Sequence, residues 1–541
     1  MMCIPLPRLI TIGTLRGKAL LALATLLLAG CAVGPDFKRP DAPQAASYSS
    51  QPLPTATVAA AAQLGEQQRF DPARDIAFAW WEEFHSAALN ALVQRAFRAN
   101  PDLAAAQAAL RQAQENVIVQ RGYFYPSIGV SYSPSRNKLA GNMGGNSPGV
   151  QGNGKIIQTY ANPAGPVFNG PAYYNFHVAQ LNIGYQPDVF GLNRRLAESA
   201  EAQARLQRFQ LEATYVTLAA NVVAAAVQEA ALSAQYEAVA EVVQLNRELL
   251  AIVERQQKLG YASEADVATQ QVVLSAAERA LAPLQKQRWQ ARDLLNALVG
   301  ADPDEVVETV RLDELHLPQD LPLTLPSKLV EQRPDVRAAE EQLHVASAQT
   351  GVAIAATLPQ FALLADIGGM ASTPDWMFRH GGGFFNLAAN IAYTIFDGGS
   401  LRARSRAAQA ALEQTAAQYR GTVIAALQNV ADTLHTLQAD AESLRAAAES
   451  EQANARLRAI ALKSYQTGYA SYADRLVVEQ GYLLARLDLI QAQAARLGDS
   501  AALYQALGGG WWNRPADTGA PLESTGGRAE QAASTPGAST R

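Results

Sequence analysis

An internal duplication constrains the fold of this 541-residue chain more than any other feature. The interval from Pro101 to Pro126 is the same as the interval from Pro334 to Pro359. The other matched intervals lie between glycines: Gly191–Gly260 equals Gly399–Gly468, and Gly260–Gly300 equals Gly468–Gly508. Three matched intervals indicate two copies of one structural unit in tandem.

One interval differs between the copies and indicates a loop. It is considerably longer from Pro126 to Gly191 than from Pro359 to Gly399. The longer version contains residues 134–171, which are rich in Gly, Asn, Ser and Pro. Because insertions are tolerated where the backbone faces solvent, we expect this loop and its short counterpart, residues 373–382, to project from the same end of the molecule.

Apolar and polar residues alternate with a period of two on both sides of each loop. Four strands are predicted, at about residues 126–133, 177–187, 359–369 and 384–396. This pattern is typical of membrane β-strands, with one face toward lipid and the other toward a wet lumen. A soluble β-sandwich has the same alternation and is the alternative.

Four membrane strands in one chain require partners, because an open sheet edge in hydrocarbon leaves backbone groups without hydrogen bonds. Two copies of the chain would supply eight strands, a barrel whose interior fills with side chains. Three copies would supply twelve strands and leave room for a passage. The sequence therefore predicts a homotrimer around a pore.

Each copy also contains one long predicted helix, at residues 192–259 and 400–467. The two stretches are equal in length, and Gly421 is the only Gly or Pro in either. At 1.5 Å per residue, such a helix is about 100 Å long. Shorter helices are predicted at about residues 89–120, 265–299, 327–355 and 473–507. A solid coiled-coil stalk is the alternative, although the regular a/d heptads that it requires are not found.

The N-terminus resembles a bacterial lipoprotein signal. Arg8, Arg16 and Lys18 precede a short apolar run that ends in Leu28-Ala29-Gly30-Cys31. In lipoproteins with this motif the Cys becomes the lipidated first residue of the mature chain, and Ala32 after it favours the outer membrane. A plain signal peptide with an incidental Cys31 is the alternative.

Several motifs together resemble the TolC-like outer-membrane factors of tripartite efflux pumps, especially the lipoprotein branch related to NodT. They are Trp80-Trp81, Asn100-Pro101-Asp102-Leu103, Arg333-Pro334-Asp335-Val336 and Ala506-Leu507-Gly508-Gly509-Gly510-Trp511. The resemblance implies an α+β membrane protein: a trimeric twelve-stranded β-barrel, continued by a long periplasmic α-helical barrel. It also implies two partners, a periplasmic adaptor (membrane fusion protein) and an inner-membrane pump of the resistance-nodulation-division type.

The predicted organisation follows from these features. Residues 1–30 are a signal peptide and residues 31–69 a lipidated linker. Residues 70–326 and 327–512 are the two repeats, with an equatorial belt, and residues 513–541 are a disordered tail. The net charge of −5 argues against a nucleic-acid partner. Neither catalytic residues, a metal site nor a cofactor is predicted, since Gly149–Lys155 only mimics a phosphate loop and the six His are scattered.

The predicted functional residues lie in two Gly-Tyr-Ala-Ser turns, which the resemblance places at periplasmic tips that contact the adaptor. They are Gly260, Tyr261, Ala262 and Ser263, with Gly468, Tyr469, Ala470 and Ser471. Ser263 with Asp266 and Ser471 with Asp474 also have the spacing of capping boxes. Asp474 has a second candidate role as a gate, in a ring of carboxylates from three subunits. The second Asp of better-known gates is absent, since Val477 stands there.

The predicted function is a passive outer-membrane efflux duct. A duct for type I protein secretion is the alternative within transport. A non-porous stalk is the structural alternative.

Overall fold

The computed structural model describes residues 32–45, 47–49, 54–138, 173–379 and 381–515. The predicted signal peptide, Cys31, the loop segment 139–172 and residues 516–541 lie outside these ranges. The described chain is mainly helical, and it divides into two compact units. Unit 1 comprises residues 1–39, 111–205 and 340–418, and unit 2 comprises residues 40–110, 206–339 and 419–541.

Unit 1 contains a four-stranded antiparallel sheet. We number the strands in chain order after a short first strand, β1, in unit 2. The sheet consists of β2 (Ser127–Lys138), β3 (Tyr173–Tyr185), β5 (Gln360–Ala371) and β6 (Gly383–Ala392) in the order β2-β3-β5-β6. Each copy thus contributes one hairpin, and β3 pairs with β5 where the two hairpins meet.

β2 continues past its predicted end near residue 133. The alternation of apolar residues stops at Pro134, which has no N–H to donate. β2 is an edge strand, where proline is tolerated, and Pro134 lies opposite His177 in the ladder. Pairing therefore continues to Lys138 although the sequence pattern does not.

Eight α-helices are described. They are α1 (Ala87–Ala99), α2 (Pro101–Gly122), α3 (Leu192–Lys258), α4 (Glu264–Leu298), α5 (Pro326–Gln332), α6 (Pro334–Ala355), α7 (Ser400–Gln466) and α8 (Tyr472–Ala506). The two long helices, α3 and α7, have 67 residues each. Good helix formers fill most of their positions, and only Gly421 interrupts the composition.

Two helices that the sequence predicts as continuous are each divided in two. The predicted helix at 89–120 is α1 and α2, and the predicted helix at 327–355 is α5 and α6. The breaks fall at Asn100 and Arg333, each of which precedes a proline and has an extended backbone. A residue before proline is disfavoured in the α region, so the new helix begins at the proline.

The same break is fastened in both copies. The Asn100 side-chain amide donates to the Leu298 carbonyl at 2.9 Å, and the Arg333 guanidinium donates to the Ala506 carbonyl at 2.8 Å. These carbonyls belong to the last residues of α4 and α8, where no further helical N–H is available to them. Different side chains thus satisfy equivalent helix ends in the two copies.

The main hydrophobic core lies in unit 2. It includes Trp80, Trp81 and Phe84, all 1% exposed or less. The Trp80 ring stacks on Tyr504 with centroids 5.0 Å apart. Beside this core, β1 (Arg69–Asp71) pairs in parallel with β4 (Asp320–Pro322), a two-stranded element that the sequence does not predict.

One helix among the described residues, α3, is long and apolar enough to cross a membrane by length and composition. Its most apolar window has a mean hydropathy of 1.4, and 72% of that window is buried inside the protein. Burial to this extent is typical of a core helix, so α3 does not require a lipid environment.

Candidate functional site

The four-stranded sheet has one apolar and one polar face. Directly paired residues lie on the same face of a sheet, so the register lines up whole rows of side chains. The apolar rows are Ile128, Ile183, Ala365 and Leu387, and Val130, Leu181, Ile367 and Phe385. Their exposed members include Val130, Phe385 and Leu387, which are at least 80% exposed in the single chain.

The opposite face of the sheet is polar. One of its rows consists of Gly129, Asn182, Asp366 and Asn386. The Asn182 amide donates to Ser131 Oγ at 3.0 Å, and the Asn386 amide donates to Asp366 Oδ2 at 3.3 Å. Such a face suits water, whereas the apolar face does not.

Both edges of the sheet are open within the described chain. β2 pairs only with β3, and β6 pairs only with β5. Each edge strand therefore presents a row of backbone N–H and C=O groups without a ladder partner. A sheet that is apolar on one face and open at both edges requires further strands before it can lie in a membrane.

Two helix-to-helix turns carry the functional residues predicted from the sequence. At the first, Tyr261 N–H donates to Gln256 O at 2.8 Å and Gly260 N–H donates to Gln257 O at 2.9 Å. At the second, Tyr469 N–H donates to Ser464 O at 2.9 Å and Gly468 N–H donates to Tyr465 O at 3.1 Å. This is the Schellman pattern that ends many helices.

The glycine in each turn has a conformational reason. Gly260 and Gly468 have φ of +79° and +80°, in the left-handed region that side chains disfavour. A Cβ at either position would meet nothing within 4 Å, so backbone conformation and not crowding selects glycine here.

Both predicted capping boxes are present at the following helices. Ser263 Oγ accepts from Asp266 N–H at 3.2 Å, and Asp266 Oδ2 accepts from Ser263 N–H at 2.8 Å. The corresponding distances for Ser471 and Asp474 are 3.1 and 3.0 Å. The pKa of Asp474 is lowered by its hydrogen bonds from the Ser471 side chain and backbone. Asp474 is therefore ionised as well as capping.

Each turn also exposes an aromatic side chain. Tyr261 is 83% exposed and Tyr469 is 90% exposed, whereas Ala262 and Ala470 are partly covered. Val477, one turn into α8, is also exposed. Each turn thus exposes the ring and hydroxyl of a tyrosine, and the second also presents the ionised Asp474 carboxylate.

The second turn is flanked on both sides by a group of cationic contacts that the sequence reasoning missed. Arg458 pairs with Glu479 at 2.7 Å and lies over the Tyr482 ring at 4.8 Å. Arg475 lies over the Tyr465 ring at 5.5 Å. Matching the copies at their two glycine turns places Leu250 opposite Arg458 and Val267 opposite Arg475. Comparing the repeats position by position would have revealed this difference.

Among the described residues, no group of three or more His, Cys, Asp and Glu side chains is arranged to hold a metal ion. Cys31, the predicted lipidation residue, lies outside the described ranges. The features described above are the two-faced sheet with its open edges and the exposed turns between helices.

A family model described as "Outer membrane efflux protein" matches residues 92–301 and 325–509, which are most of the two repeats. The chain belongs to the outer membrane efflux protein family. This family consists of channels of the bacterial outer membrane and is not a class of enzymes.

Curated relatives of this efflux protein match it over nearly their whole length. The probable efflux pump outer membrane protein TtgC of Pseudomonas putida is 28% identical over 501 residues, which cover 92% of this chain and 96% of that relative. The pyoverdine export outer membrane protein OpmQ of Pseudomonas putida is 29% identical over 439 residues, covering 80% of this chain and 88% of that relative.

Solved structures show the same fold. The CmeC outer membrane channel of Campylobacter jejuni superimposes with a TM-score of 0.75 at 21% identity, covering 90% of this chain and 97% of that structure. The outer membrane protein VceC of Vibrio cholerae has a TM-score of 0.69 at 25% identity, covering 81% and 100%. The efflux protein thus has the fold of an outer-membrane channel and is mostly helical with some β-sheet.

Proposed function

We propose that three copies of this efflux protein form a passive duct through which small molecules leave the cell. The observation that carries the proposal is the four-stranded sheet, apolar on one face, polar on the other and open at β2 and β6. Pairing β6 of one copy with β2 of the next satisfies both edges at once. Three copies close a twelve-stranded barrel whose polar face surrounds the passage.

The helices extend the duct beyond the membrane. In this proposal α3 and α7, each about 100 Å long, line a helical barrel in the periplasm together with the shorter helices. The Gly260–Ser263 and Gly468–Ser471 turns are its tips. There the duct contacts a periplasmic adaptor, which links it to an inner-membrane pump of the resistance-nodulation-division type. The duct itself is passive, and the inner-membrane pump supplies the energy for export.

The ends of the chain have separate proposed roles. Residues 1–30 are a signal peptide, and Cys31 becomes the lipidated first residue of the mature protein. Residues 31–69 connect this anchor to the first repeat, 70–326, which the second repeat, 327–512, follows. Residues 513–541 are the C-terminal tail, whose first residues contact unit 2 through Asn513 and Arg514. The lipobox motif at Leu28–Cys31 supports the lipid anchor.

Disulfide cross-linking tests the closed barrel. Ser131→Cys on β2 is combined with Asn386→Cys, Ala388→Cys or Asn390→Cys on β6, and outer membranes are oxidised before non-reducing gel electrophoresis. At least one pair should give dimers and trimers and no larger species. The single-cysteine variants are the matched controls. Absence of intermolecular disulfides in every pair, or a ladder beyond three chains, would exclude a closed trimer.

Export is tested separately in cells. Deleting the gene should raise the accumulation of a fluorescent pump substrate such as ethidium when the matching adaptor and pump are co-expressed. Restoring the wild-type chain should lower it again. Equal accumulation with and without the chain would argue against an efflux duct even if the trimer forms.

A further inference from the structure

The segment that begins at Ala32 lies against unit 1 and makes specific contacts with it. Val33 N–H donates to the Phe190 carbonyl at 3.2 Å. Arg39 pairs with the buried Glu340 at 3.2 Å. The Phe37 ring stacks on the His344 ring with centroids 4.2 Å apart and planes 9° apart. Residues 32–39, which we call the strap, are thus bound along their length.

One buried guanidinium binds the centre of the strap. The Arg195 side chain, in the first turn of α3, is only 4% exposed. It donates to the carbonyls of Val33 at 3.1 Å and Gly34 at 3.2 Å, and to the Asp36 carboxylate at 2.8 Å. The remaining terminal nitrogen of Arg195 donates a hydrogen bond to the Glu198 carboxylate at 2.7 Å. Arg195 thus contacts three different residues of the strap.

The strap also fits by shape at two glycines. Gly34 has φ of +99°, and a Cβ there would lie 2.4 Å from the Gly351 Cα on α6. A Cβ on Gly351 would in turn lie 2.9 Å from the Arg195 side chain. Backbone therefore packs directly on backbone beneath the guanidinium, and neither position has room for a side chain.

The groove is formed by α3 of the first copy and α6 of the second, and the duplication allows comparison with the reciprocal combination, α7 and α2. Matching the copies along α3 and α7 by their equal glycine intervals places Ala403 opposite Arg195. Matching them along α2 and α6 by their equal proline intervals places Ile118 opposite Gly351 and Arg111 opposite His344. At the equivalent positions of α7 and α2, the arginine, the glycine and the histidine are therefore each replaced by another residue. Since the two copies share their helix lengths, glycine turns and capping boxes, we infer that these differences mark residues adapted to the strap.

We propose that residues 32–39 are a fixed strap seated by Arg195, and that it holds the start of the mature chain at one point on unit 1. Ala32 packs against Gly191, at the beginning of α3. Docking of the strap stands on its own contacts. Its consequence for membrane anchoring rests on the proposed lipidation of Cys31.

Trypsin provides the test, because the strap contains an exposed Lys38 followed by Arg39. Cleavage of a docked segment requires local opening, so the purified full-length protein should lose residues 31–38 slowly. Arg195→Met should increase the rate of this cleavage at least tenfold, measured by mass spectrometry of the remaining chain. Arg402→Met, which replaces an exposed arginine in the first turn of α7, is the matched control and should cleave at the wild-type rate.

A second variant tests the same proposal if Arg195→Met folds poorly. Gly34→Val changes only the strap and should also accelerate cleavage after Lys38 at least tenfold. Wild-type cleavage rates in both variants would overturn the proposal. Oligomer mass and channel conductance of the same samples report on the duct, so loss of the strap and failure of the proposed function are distinguishable.

Discussion

Equivalent residues in the two copies of this efflux protein make the same hydrogen bonds. A substitution in one copy can therefore be compared with the same substitution in the other copy. Asp266 and Asp474 both accept from the serine three positions before them. Both have their pKa lowered by those hydrogen bonds. Capping is therefore common to the two, whereas a gating role was proposed for Asp474 alone.

Substituting these carboxylates separates a cap from a gate. Asp474→Ala and Asp266→Ala each remove one half of a capping box and should loosen the start of their helix similarly. If a ring of Asp474 carboxylates lines the constriction, only Asp474→Ala should change single-channel conductance or reduce cation preference. Bilayer recordings of both variants check this. Equal behaviour of the two would leave Asp474 as a helix cap.

A partly buried pair of aspartates provides a pH-dependent contribution to stability. Burial and a hydrogen bond with Asp440 raise the pKa of Asp499 to about 8, while Arg496 acts in the opposite direction. Asp499 therefore holds its proton in the folded protein at pH values where the unfolded chain has released it. This raised pKa means that stability declines as the pH rises from the ordinary aspartate range toward 8.

The variant Asp499→Asn should remove this decline, because an amide does not titrate. We expect its melting temperature, relative to that of the wild type, to increase from pH 4 to pH 8. Asp488→Asn, an exposed aspartate on the same helix, is the control and should follow the wild-type curve. Thermal unfolding across this pH range makes the comparison. A constant difference between Asp499→Asn and the wild type would contradict the raised pKa.

Residues whose partners are near in sequence were predictable, and residues with distant partners were not. Ser471 and Asp474 are three positions apart, so the capping box follows from spacing alone. Asp36 and Arg195 are 159 positions apart, and a sequence pattern gives no signal for such a pair. The strap was therefore predicted only as part of a linker.

At the scale of elements, helix length follows from composition and helix ends follow from single residues. The 67-residue helices α3 and α7 end at Schellman turns with Gly260 and Gly468. The breaks at Asn100 and Arg333 depend on the following prolines, which disfavour a helical conformation at the residue before them. Neither the short β1-β4 pair nor the extension of β2 past Pro134 has a periodic pattern long enough to predict.

The glycine at the second turn gives an element-scale prediction. Gly468→Ala places a side chain in a left-handed conformation, at a cost of about 1–2 kcal/mol. Because no atom lies within 4 Å of the new Cβ, this cost is confined to the backbone. Hydrogen exchange at the Tyr469 and Asp474 amides should become faster.

Gly421→Ala is the control for this substitution. Gly421 lies within α7, and nothing lies within 4 Å of a Cβ built there. Alanine should stabilise the helix interior by about 0.5–1 kcal/mol. The two glycine-to-alanine changes are therefore expected to have opposite signs, and two destabilising results would contradict the argument from backbone conformation.

For the whole molecule, the central question is how an incomplete sheet becomes a pore. One chain supplies four strands, an apolar face and two open edges, and the duplication accounts for the two hairpins. The number of strands in the four-stranded sheet was predictable from the alternation of apolar and polar residues, because a period of two persists where the two faces of a sheet differ in polarity. Assembly is a property of several chains, so it follows from the sequence only through the need to satisfy the edges.

The most direct test is the electrical conductance of the purified full-length protein in a planar bilayer, on a sample whose mass in detergent has been measured. A particle of three chains that inserts and gives discrete ion-conducting steps is the result that this account predicts. A monomer in detergent that leaves the bilayer non-conducting would contradict it.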